Sequence, residues 1–271
     1  MGGADDMDLF AGAAPYYARY RLPYPPEMIA LLVARFGLDR DSRVLDLGTG
    51  TGQVALALAP GCGEVVATDS SAAMLAEARL AGDRAGVTNV RWLPLAAEAI
   101  TPALGTFRLV TIAQAFHWMD REEVLQRLPP LLEPGGGIAL LGAATVWGAQ
   151  EPWARAAVGV IQRWLGESRR AGGGVFSDTR ASGHRPLPEL LTAADFVDVQ
   201  SGEYRHEHTW DLDSVIGTLY STSYCNPALL GGQQRAFEAD LRRTLLDCAP
   251  DGRFVQAIHA DYTIGWRPER D

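Results

Sequence analysis

The 271-residue sequence predicts an α/β protein with a mostly parallel sheet and helices on both of its faces. Three observations support this fold class. Short apolar runs typical of buried strands alternate with helical stretches between residues 43 and 141. A glycine-rich turn follows the first of these runs directly, and an acidic residue ends the second. Open parallel sheets bind ligands at such strand ends.

Seven strands and eight helices follow from hydrophobic periodicity and from turn and cap residues. The strands are predicted at residues 43–47, 64–68, 90–93, 109–113, 138–141, 196–204 and 262–266. The helices are predicted at residues 26–36, 52–59, 72–81, 121–132, 150–166, 187–194, 212–220 and 233–247. Residues 134–137 are expected to separate a helix from the fifth strand, and residues 169–174 to form a flexible break.

Composition excludes several classes of function. The net charge of −9 offers no basic surface for nucleic acid or for an anionic membrane. Three widely spaced cysteines show no metal-ligand pattern, so no metal is expected. Neither a signal peptide nor an apolar run of the roughly 20 residues that a membrane span needs is visible. We therefore expect a cytoplasmic protein; its oligomeric state, monomer or homo-oligomer, stays open.

The glycine turn is the most informative stretch of the sequence. It reads Val-Leu-Asp-Leu-Gly-Thr-Gly-Thr-Gly over residues 44–52, between a strand and the start of a helix. Glycine at positions 48, 50 and 52 permits positive φ and lets a ligand approach the backbone closely. Asp69 follows the second strand, where a carboxylate can accept hydrogen bonds from the hydroxyls of a ribose. Together these features predict a nucleoside-binding site.

The glycine spacing distinguishes between nucleoside cofactors. A nicotinamide dehydrogenase typically carries Gly-x-Gly-x-x-Gly, whereas this chain has Gly-x-Gly-x-Gly preceded by Asp46. An acidic side chain there would repel a pyrophosphate but not a ligand with an ammonium and a sulfonium group. This chemistry favours S-adenosylmethionine, with S-adenosylhomocysteine as the product.

Four segments together resemble a known family. They are residues 44–52, Ala67-Thr-Asp69, Gln114-Ala-Phe-His-Trp118 and Leu132-Glu-Pro-Gly-Gly136. In these the chain resembles the class I S-adenosylmethionine-dependent methyltransferases, which have a Rossmann-like fold. It is similar in particular to a small-molecule branch with Tyr-x-x-Tyr-Arg-x-x-Tyr-Pro near the N-terminus and Phe-His-Trp after the fourth strand.

The resemblance implies a division of the chain and a set of cofactor-binding residues. Residues 1–40 would form an N-terminal helical lid and 41–144 the cofactor-binding core. Residues 145–190 would form an insertion or substrate cap, and 191–271 would complete the sheet and the substrate pocket. The residues implied to bind the cofactor are Tyr16, Tyr20, Arg21, Gly48, Gly50, Asp69, Ser70, Met74, Ala97, Glu98, Gln114 and Phe116.

Some of these residues have more specific implied roles. Many family members bind the adenine amino group with an Asp near position 96, but this chain has Ala96. The adenine contact would then fall to the Ala97 backbone or to Glu98. Met74 would touch the adenine face, and Arg21 would pair with the cofactor carboxylate.

His117 is the predicted catalytic residue, as a base or as an anchor for the methyl acceptor. The alternative is that it only orients the loop beside Trp118. Aromatic walls for a small-molecule acceptor, such as a secondary metabolite, are predicted from Trp118, Trp147, Tyr220 and Tyr224. Two other functions stay open at this point: a non-catalytic S-adenosylmethionine sensor and a nicotinamide-dependent oxidoreductase.

Overall fold

A computed structural model gives the fold, and it describes residues 12–167, 169–171, 174–176 and 185–268. The first half of the chain alternates helices and strands. In chain order these are α1 (Ala14–Tyr20), α2 (Pro26–Phe36), β1 (Arg43–Leu47), α3 (Gln53–Leu58), β2 (Glu64–Asp69), α4 (Ala72–Ala85), β3 (Val90–Pro94), β4 (Phe107–Ala113), α5 (Arg121–Arg127) and β5 (Leu132–Ala143).

Longer strands and a second group of helices follow. They are α6 (Pro152–Leu165), β6 (Arg169–Ala171), β7 (Gly174–Phe176), α7 (Leu187–Ala193), β8 (Val197–Asp211), α8 (Leu212–Tyr220), α9 (Pro227–Leu230), α10 (Gln234–Cys248) and β9 (Arg253–Trp266). None of the helices in the described part of the chain combines the length and the hydrophobicity that crossing a bilayer requires.

One seven-stranded sheet has the order β3-β2-β1-β4-β5-β9-β8. Strands β3, β2, β1, β4 and β5 run parallel, and β9 pairs antiparallel with β5. The strand order reverses between β1 and β4, which places a ligand-binding crevice at their carboxyl ends. The structure therefore confirms the predicted Rossmann-like, mostly parallel sheet.

Two apolar layers cover the sheet because alternate strand residues point to opposite faces. On one face, Val110, Ile138 and Leu140 pack with residues of α5 and α7. On the other face, Val44, Leu109 and Ala139 pack with α2 and α3. The predicted helices on both faces are thus confirmed.

By its internal contacts the chain divides into two compact units. The sheet unit comprises Pro23–Ala143, Ser182–Arg205 and His259–Asp271. The helical unit comprises Met1–Leu22, Ala144–Ala181 and His206–Ile258. Its core includes apolar residues of α6, α8 and α10. Helix α1 thus belongs to the helical unit and α2 to the sheet unit, although both lie in the predicted lid.

Several predicted element boundaries were wrong. Helix α5 ends at Arg127, and a 3-10 turn at Pro129–Leu131 follows, because the two prolines in that turn lack the N–H that a longer helix needs. Residues 134–137 lie inside β5 and do not separate a helix from that strand. Strand β8 ends at Asp211, beyond its predicted end at residue 204, and β9 begins at Arg253, before its predicted start at residue 262. Of the predicted break at 169–174, residues 172 and 173 lie outside the described residues; the rest belongs to strands β6 and β7, which pair antiparallel.

Candidate active site

The glycine turn joins β1 to α3 and has the conformation that the sequence predicts. Gly48, Gly50 and Gly52 have φ of 65°, 56° and 83°. The turn is fixed to the neighbouring strand because the Thr49 amide donates to the Thr68 carbonyl at 2.8 Å. Left-handed backbone of this kind favours glycine at all three positions.

The surroundings of the three glycines differ, and the difference shows where a ligand fits. A Cβ on Gly48 would lie 2.5 Å from Cβ of Ala115, and one on Gly52 would lie 2.7 Å from the Trp92 ring. A Cβ on Gly50 would meet no atom of the described residues within 4 Å. The first and third glycines therefore permit close packing within the protein. The second faces open space, where a ligand can lie against the backbone.

Asp69 ties the glycine turn to the start of α4. Its Oδ2 accepts a hydrogen bond from the Gly50 amide at 2.8 Å, and its Oδ1 accepts one from the Ser71 amide at 2.8 Å. An ionised carboxylate has about four lone-pair positions, so both oxygens can accept further hydrogen bonds. The predicted contact of Asp69 with a pair of ribose hydroxyls is compatible with this geometry and stays a prediction.

Ser71, not the exposed Ser70, caps α4. Its hydroxyl accepts a hydrogen bond from the Met74 amide at 3.3 Å, which satisfies one free donor of the first turn. Met74 lies in that first turn with only 3% of its surface exposed. The implied contacts of Ser70 and Met74 with adenine stay predictions.

Asp46 is buried beneath the glycine turn with 1% of its surface exposed. Its carboxylate accepts hydrogen bonds from the hydroxyls of Thr49 at 2.5 Å and Thr111 at 2.6 Å. Burial raises the pKa of Asp46 to about 6, the two hydroxyls oppose this shift, and the nearby charge of Asp69 adds to it. Asp46, which in the sequence favoured S-adenosylmethionine over a nicotinamide cofactor, thus joins the glycine turn to β4 through its hydrogen bonds.

The loop after β3 contains the two residues implied to bind adenine. Ala97 is buried, and Glu98 is half-buried in a 3-10 turn over Ala97–Ala99. The Glu98 Oε1 accepts a hydrogen bond from the Asp120 amide at 2.9 Å, at the N-terminus of α5. Glu98 thus has a protein partner that the sequence did not reveal, and its adenine contact stays a prediction.

The loop after β4 carries the predicted catalytic histidine. Gln114 has a φ of 54°, unusual for a residue other than glycine, and its Nε2 donates to the Ala143 carbonyl at 2.7 Å. Phe116 is buried, whereas His117 is exposed in a 3-10 turn over Phe116–Trp118. The rings of His117 and Trp118 lie 5.2 Å apart. The structure therefore brings Gln114, Phe116, His117 and Trp118 together at the carboxyl end of β4.

The remaining predicted site residues belong to the helical unit. Arg21 donates from Nε to the Ser221 hydroxyl at 2.8 Å, and the aromatic ring of Tyr20 lies against Gly217. Tyr16 meets Tyr220 edge-on at 5.2 Å. These contacts hold α1 on α8, and the implied cofactor contacts of Tyr16, Tyr20 and Arg21 stay predictions.

The aromatic residues of the helical unit that are predicted to line the acceptor site differ in burial. Trp147 and Tyr224 are half-buried, and their rings meet edge-on at 5.0 Å. Tyr220 has only 2% of its surface exposed and donates from its hydroxyl to Glu238 at 3.2 Å. Burial and the charge of Glu238 raise the pKa of Tyr220, so this hydroxyl stays protonated. Whether these residues line an acceptor site stays a prediction.

Comparison with known proteins shows the family. The model of the methyltransferase domain family matches residues 44–136, which include β1, the glycine turn and Asp69. An uncharacterised methyltransferase from Mycobacterium bovis is 33% identical over 255 residues, which cover 90% of this chain and 88% of the relative. The chain belongs to the S-adenosylmethionine-dependent methyltransferases.

Two further relatives of this methyltransferase have named activities. A ubiquinone/menaquinone biosynthesis C-methyltransferase from Syntrophotalea carbinolica is 30% identical over 250 residues, covering 81% of this chain and 94% of the relative. A tRNA 5-carboxymethoxyuridine methyltransferase from Escherichia coli is 35% identical over 102 residues, covering only 36% of this chain and 39% of the relative. Membership in this family favours a methyltransferase over the two other functions left open above, the non-catalytic sensor and the nicotinamide-dependent oxidoreductase.

The methyltransferase uses S-adenosylmethionine, and the site fits this cofactor. The open space beside Gly50 admits a ligand to the backbone, and the Asp69 carboxylate offers acceptors for ribose hydroxyls. Among the described residues no group of three or more His, Cys, Asp or Glu side chains is arranged to hold a metal ion.

Sequence reasoning missed three features of the site. These are the paired threonine hydroxyls on Asp46, the bond from Asp120 to Glu98, and the packing of Ala115 on Gly48. The first has a weak signal, since Thr49 and Thr111 are polar residues beside buried strand positions. The other two join segments far apart in the sequence, so no local sequence pattern predicts them.

Proposed function

We propose that this enzyme methylates an O, N or C atom of a small-molecule acceptor and that His117 contacts the acceptor as a base or an anchor. The observation that carries the proposal is the position of His117. It is exposed on the loop after β4, and that loop rests on Gly48 of the cofactor-binding turn through Ala115. An acceptor bound at His117 would therefore lie close to the bound cofactor.

Two observations support a small molecule over a nucleic acid. The relative from Syntrophotalea carbinolica, named for ubiquinone and menaquinone biosynthesis, matches over most of both chains, whereas the tRNA enzyme matches over little more than a third. The net charge of −9 also disfavours a polyanion, since nucleic-acid binding depends on basic side chains. A secondary metabolite is one acceptor that fits this description.

The chain contributes mainly position to such a reaction. S-adenosylmethionine, when bound, supplies a methyl group that is already activated for displacement. Holding two reactants in line within a closed site can supply roughly 7–11 kcal/mol of the barrier reduction. His117 can remove a proton from an acceptor hydroxyl or amine, or donate a hydrogen bond that orients it. A positioned base typically contributes about 10²–10⁴-fold in rate.

The test is methyl transfer by wild type, His117→Ala and His206→Ala enzymes with a panel of quinols, phenols, amines and carboxylic acids. Bulk tRNA serves as the competing acceptor. His206 is a matched control because it is an exposed histidine on β8. We expect activity on a small molecule, a loss of about 10²-fold or more in His117→Ala if the residue acts as a base, and little change in His206→Ala. Turnover within about threefold of wild type in His117→Ala would contradict the role of His117. Methylation of tRNA alone would contradict the acceptor class.

A further inference from the structure

The loop that carries His117 comprises residues 114–120, and we call it the His117 loop. We infer that Glu98 is a positioning residue, which holds the end of this loop and thereby sets the place of His117 relative to the cofactor-binding turn. This inference rests on the proposed function, because it concerns the same histidine. It assigns to Glu98 a role different from the adenine contact that the family resemblance implies.

The first end of the His117 loop is fixed to β5. The Gln114 amide donates to the Leu141 carbonyl at 2.9 Å, and its side-chain Nε2 donates to the Ala143 carbonyl at 2.7 Å. The left-handed backbone of Gln114, with φ of 54°, turns the chain away from β4 at this point. A non-glycine residue in this conformation indicates that the surrounding contacts determine the backbone there.

The middle of the loop rests on the glycine turn. The space that a Cβ on Gly48 would need is filled by Cβ of Ala115 at 2.5 Å and by Cε of Met119 at 3.0 Å. These two residues flank the turn that carries His117. The position of His117 relative to the glycine turn therefore depends on how this loop is held.

The far end of the loop is hydrogen-bonded to Glu98. The Asp120 amide donates to Glu98 Oε1 at 2.9 Å, and hydrogen bonds from an amide to a carboxylate are stronger than those between neutral groups. Glu98 itself is held by a short turn, in which the Ala99 amide donates to the Ala96 carbonyl at 3.0 Å. Just before that turn, the Leu95 amide donates to the Asp69 carbonyl at 3.1 Å.

These bonds form a continuous connection through the sheet unit. It runs from Asp69 to Leu95, through the short turn to Glu98, and from Glu98 to Asp120 at the end of the His117 loop. Asp69, the predicted anchor of the cofactor ribose, and the loop that carries His117 are thus joined by two hydrogen bonds and a four-residue stretch of chain. Loss of the Glu98 bond would weaken the hold on the α5 end of the loop, where Arg121 Nε still donates to the Phe116 carbonyl at 3.3 Å, and would leave the Gln114 end unchanged.

The experiment compares three variants with wild type. Glu98→Ala removes the acceptor of the Asp120 bond, whereas Glu98→Gln keeps an oxygen that can accept it. Glu122→Ala is the control, since Glu122 is an exposed acidic residue in the first turn of α5. Affinity for S-adenosylhomocysteine is measured by calorimetry. The ring signals of His117 are followed by NMR with and without this ligand, and are identified from their absence in His117→Ala.

We expect Glu98→Ala to bind S-adenosylhomocysteine within about threefold of wild type. Its His117 signals should shift, and their response to the ligand should fall to less than about half of the wild-type change. Glu98→Gln and Glu122→Ala should resemble wild type in both measurements. With an identified acceptor as substrate, kcat of Glu98→Ala should fall by about tenfold or more, while KM for the cofactor stays unchanged.

A second pair of variants removes the donor in place of the acceptor. Asp120 has φ of −69°, which proline can adopt, and Met119 before it is extended, as a residue before proline prefers. Asp120→Pro deletes the amide N–H, whereas Asp120→Ala keeps it and loses only the side-chain cap on Glu123. Asp120→Pro should therefore reproduce the His117 shifts of Glu98→Ala, and Asp120→Ala should not.

Two results would overturn the inference. Unchanged His117 signals in both Glu98→Ala and Asp120→Pro would show that the bond does not position the loop. A loss of about tenfold or more in S-adenosylhomocysteine affinity in both Glu98 variants would assign Glu98 to the adenine instead. Failure of the proposed function is recognised separately: His117→Ala would then keep its turnover, whatever Glu98→Ala does to the His117 signals.

Discussion

Alanine at position 50 tests whether the glycine turn holds the cofactor. Gly50 has φ of 56°, and a Cβ there meets nothing within 4 Å in the part of the chain that the structure describes. The only cost to folding is the left-handed backbone, about 1–2 kcal/mol for an L-residue. Gly86 is a matched control because its φ is 65°, it too has open space, and it ends α4. Both variants should therefore lose the same stability in denaturant unfolding.

The two variants should differ in ligand binding. The new methyl group of Gly50→Ala occupies the space in which the cofactor approaches the backbone, and we expect S-adenosylhomocysteine affinity to fall about a hundredfold, or roughly 2.7 kcal/mol. Gly86→Ala should bind as wild type does. Gly48→Ala adds overlap with Ala115 to the backbone cost, which together amount to about 2–5 kcal/mol of stability. If calorimetry finds equal affinities in Gly50→Ala and Gly86→Ala, the ligand does not lie against this turn.

Two further predictions concern stability. Gly217→Ala in α8 should lower the free energy of unfolding by about 1–3 kcal/mol because its methyl group would overlap the Tyr20 ring. Gly159→Ala in α6 is the control: among the described residues no atom lies nearer than 3.9 Å to its methyl group, so it should be neutral or stabilising. Equal unfolding curves for the two variants would refute this packing. The raised pKa of Asp46 favours the protonated form, so its contribution to stability is full below the unfolded pKa near 4 and is lost as pH rises through about 6. Asp46→Asn should therefore gain on wild type by up to about 3 kcal/mol between pH 4 and pH 7, measured by denaturant unfolding at each pH; a difference that does not change with pH would contradict the burial of this charge.

The parallel part of the fold was predictable because its signals are local. Strand β1 is a short apolar run followed by glycines, and the structure places it at the predicted residues 43–47. Asp69 is the last residue of β2, where the sequence predicted a polar strand end. Each assignment needed only neighbouring residues, and the parallel direction of the strands followed from their alternation with helices.

Strand lengths were less predictable because pairing with a neighbour extends a strand beyond its own pattern. Residues 134–137 look like a turn, yet they belong to β5, which pairs with β4 through Leu132 and across an irregularity in the register. Strand β9 begins at Arg253 with alternately exposed and buried residues. Its apolar signal is clear only near Trp266, where the strand lies in the core of the sheet.

In the candidate site, too, local features were predictable from the sequence and long-range contacts were not. The glycine turn and Asp69 are recognisable from residue type and spacing, since their function depends on backbone conformation and one carboxylate. The bond from Asp120 to Glu98 joins segments 22 residues apart. Glutamate at that position has no local feature that reveals a partner, so the family resemblance supplied a different role for it.

The central claim is a methyltransferase whose cofactor ribose is held by Asp69, and one calorimetric comparison tests it most directly. S-adenosylhomocysteine is titrated into wild type, Asp69→Ala and, as a control, Asp83→Ala on the exposed face of α4. We expect micromolar binding to wild type and to Asp83→Ala, and a loss of about a hundredfold or more in Asp69→Ala. Equal binding to all three proteins would contradict the assignment of Asp69, and no binding to wild type would contradict the cofactor site itself.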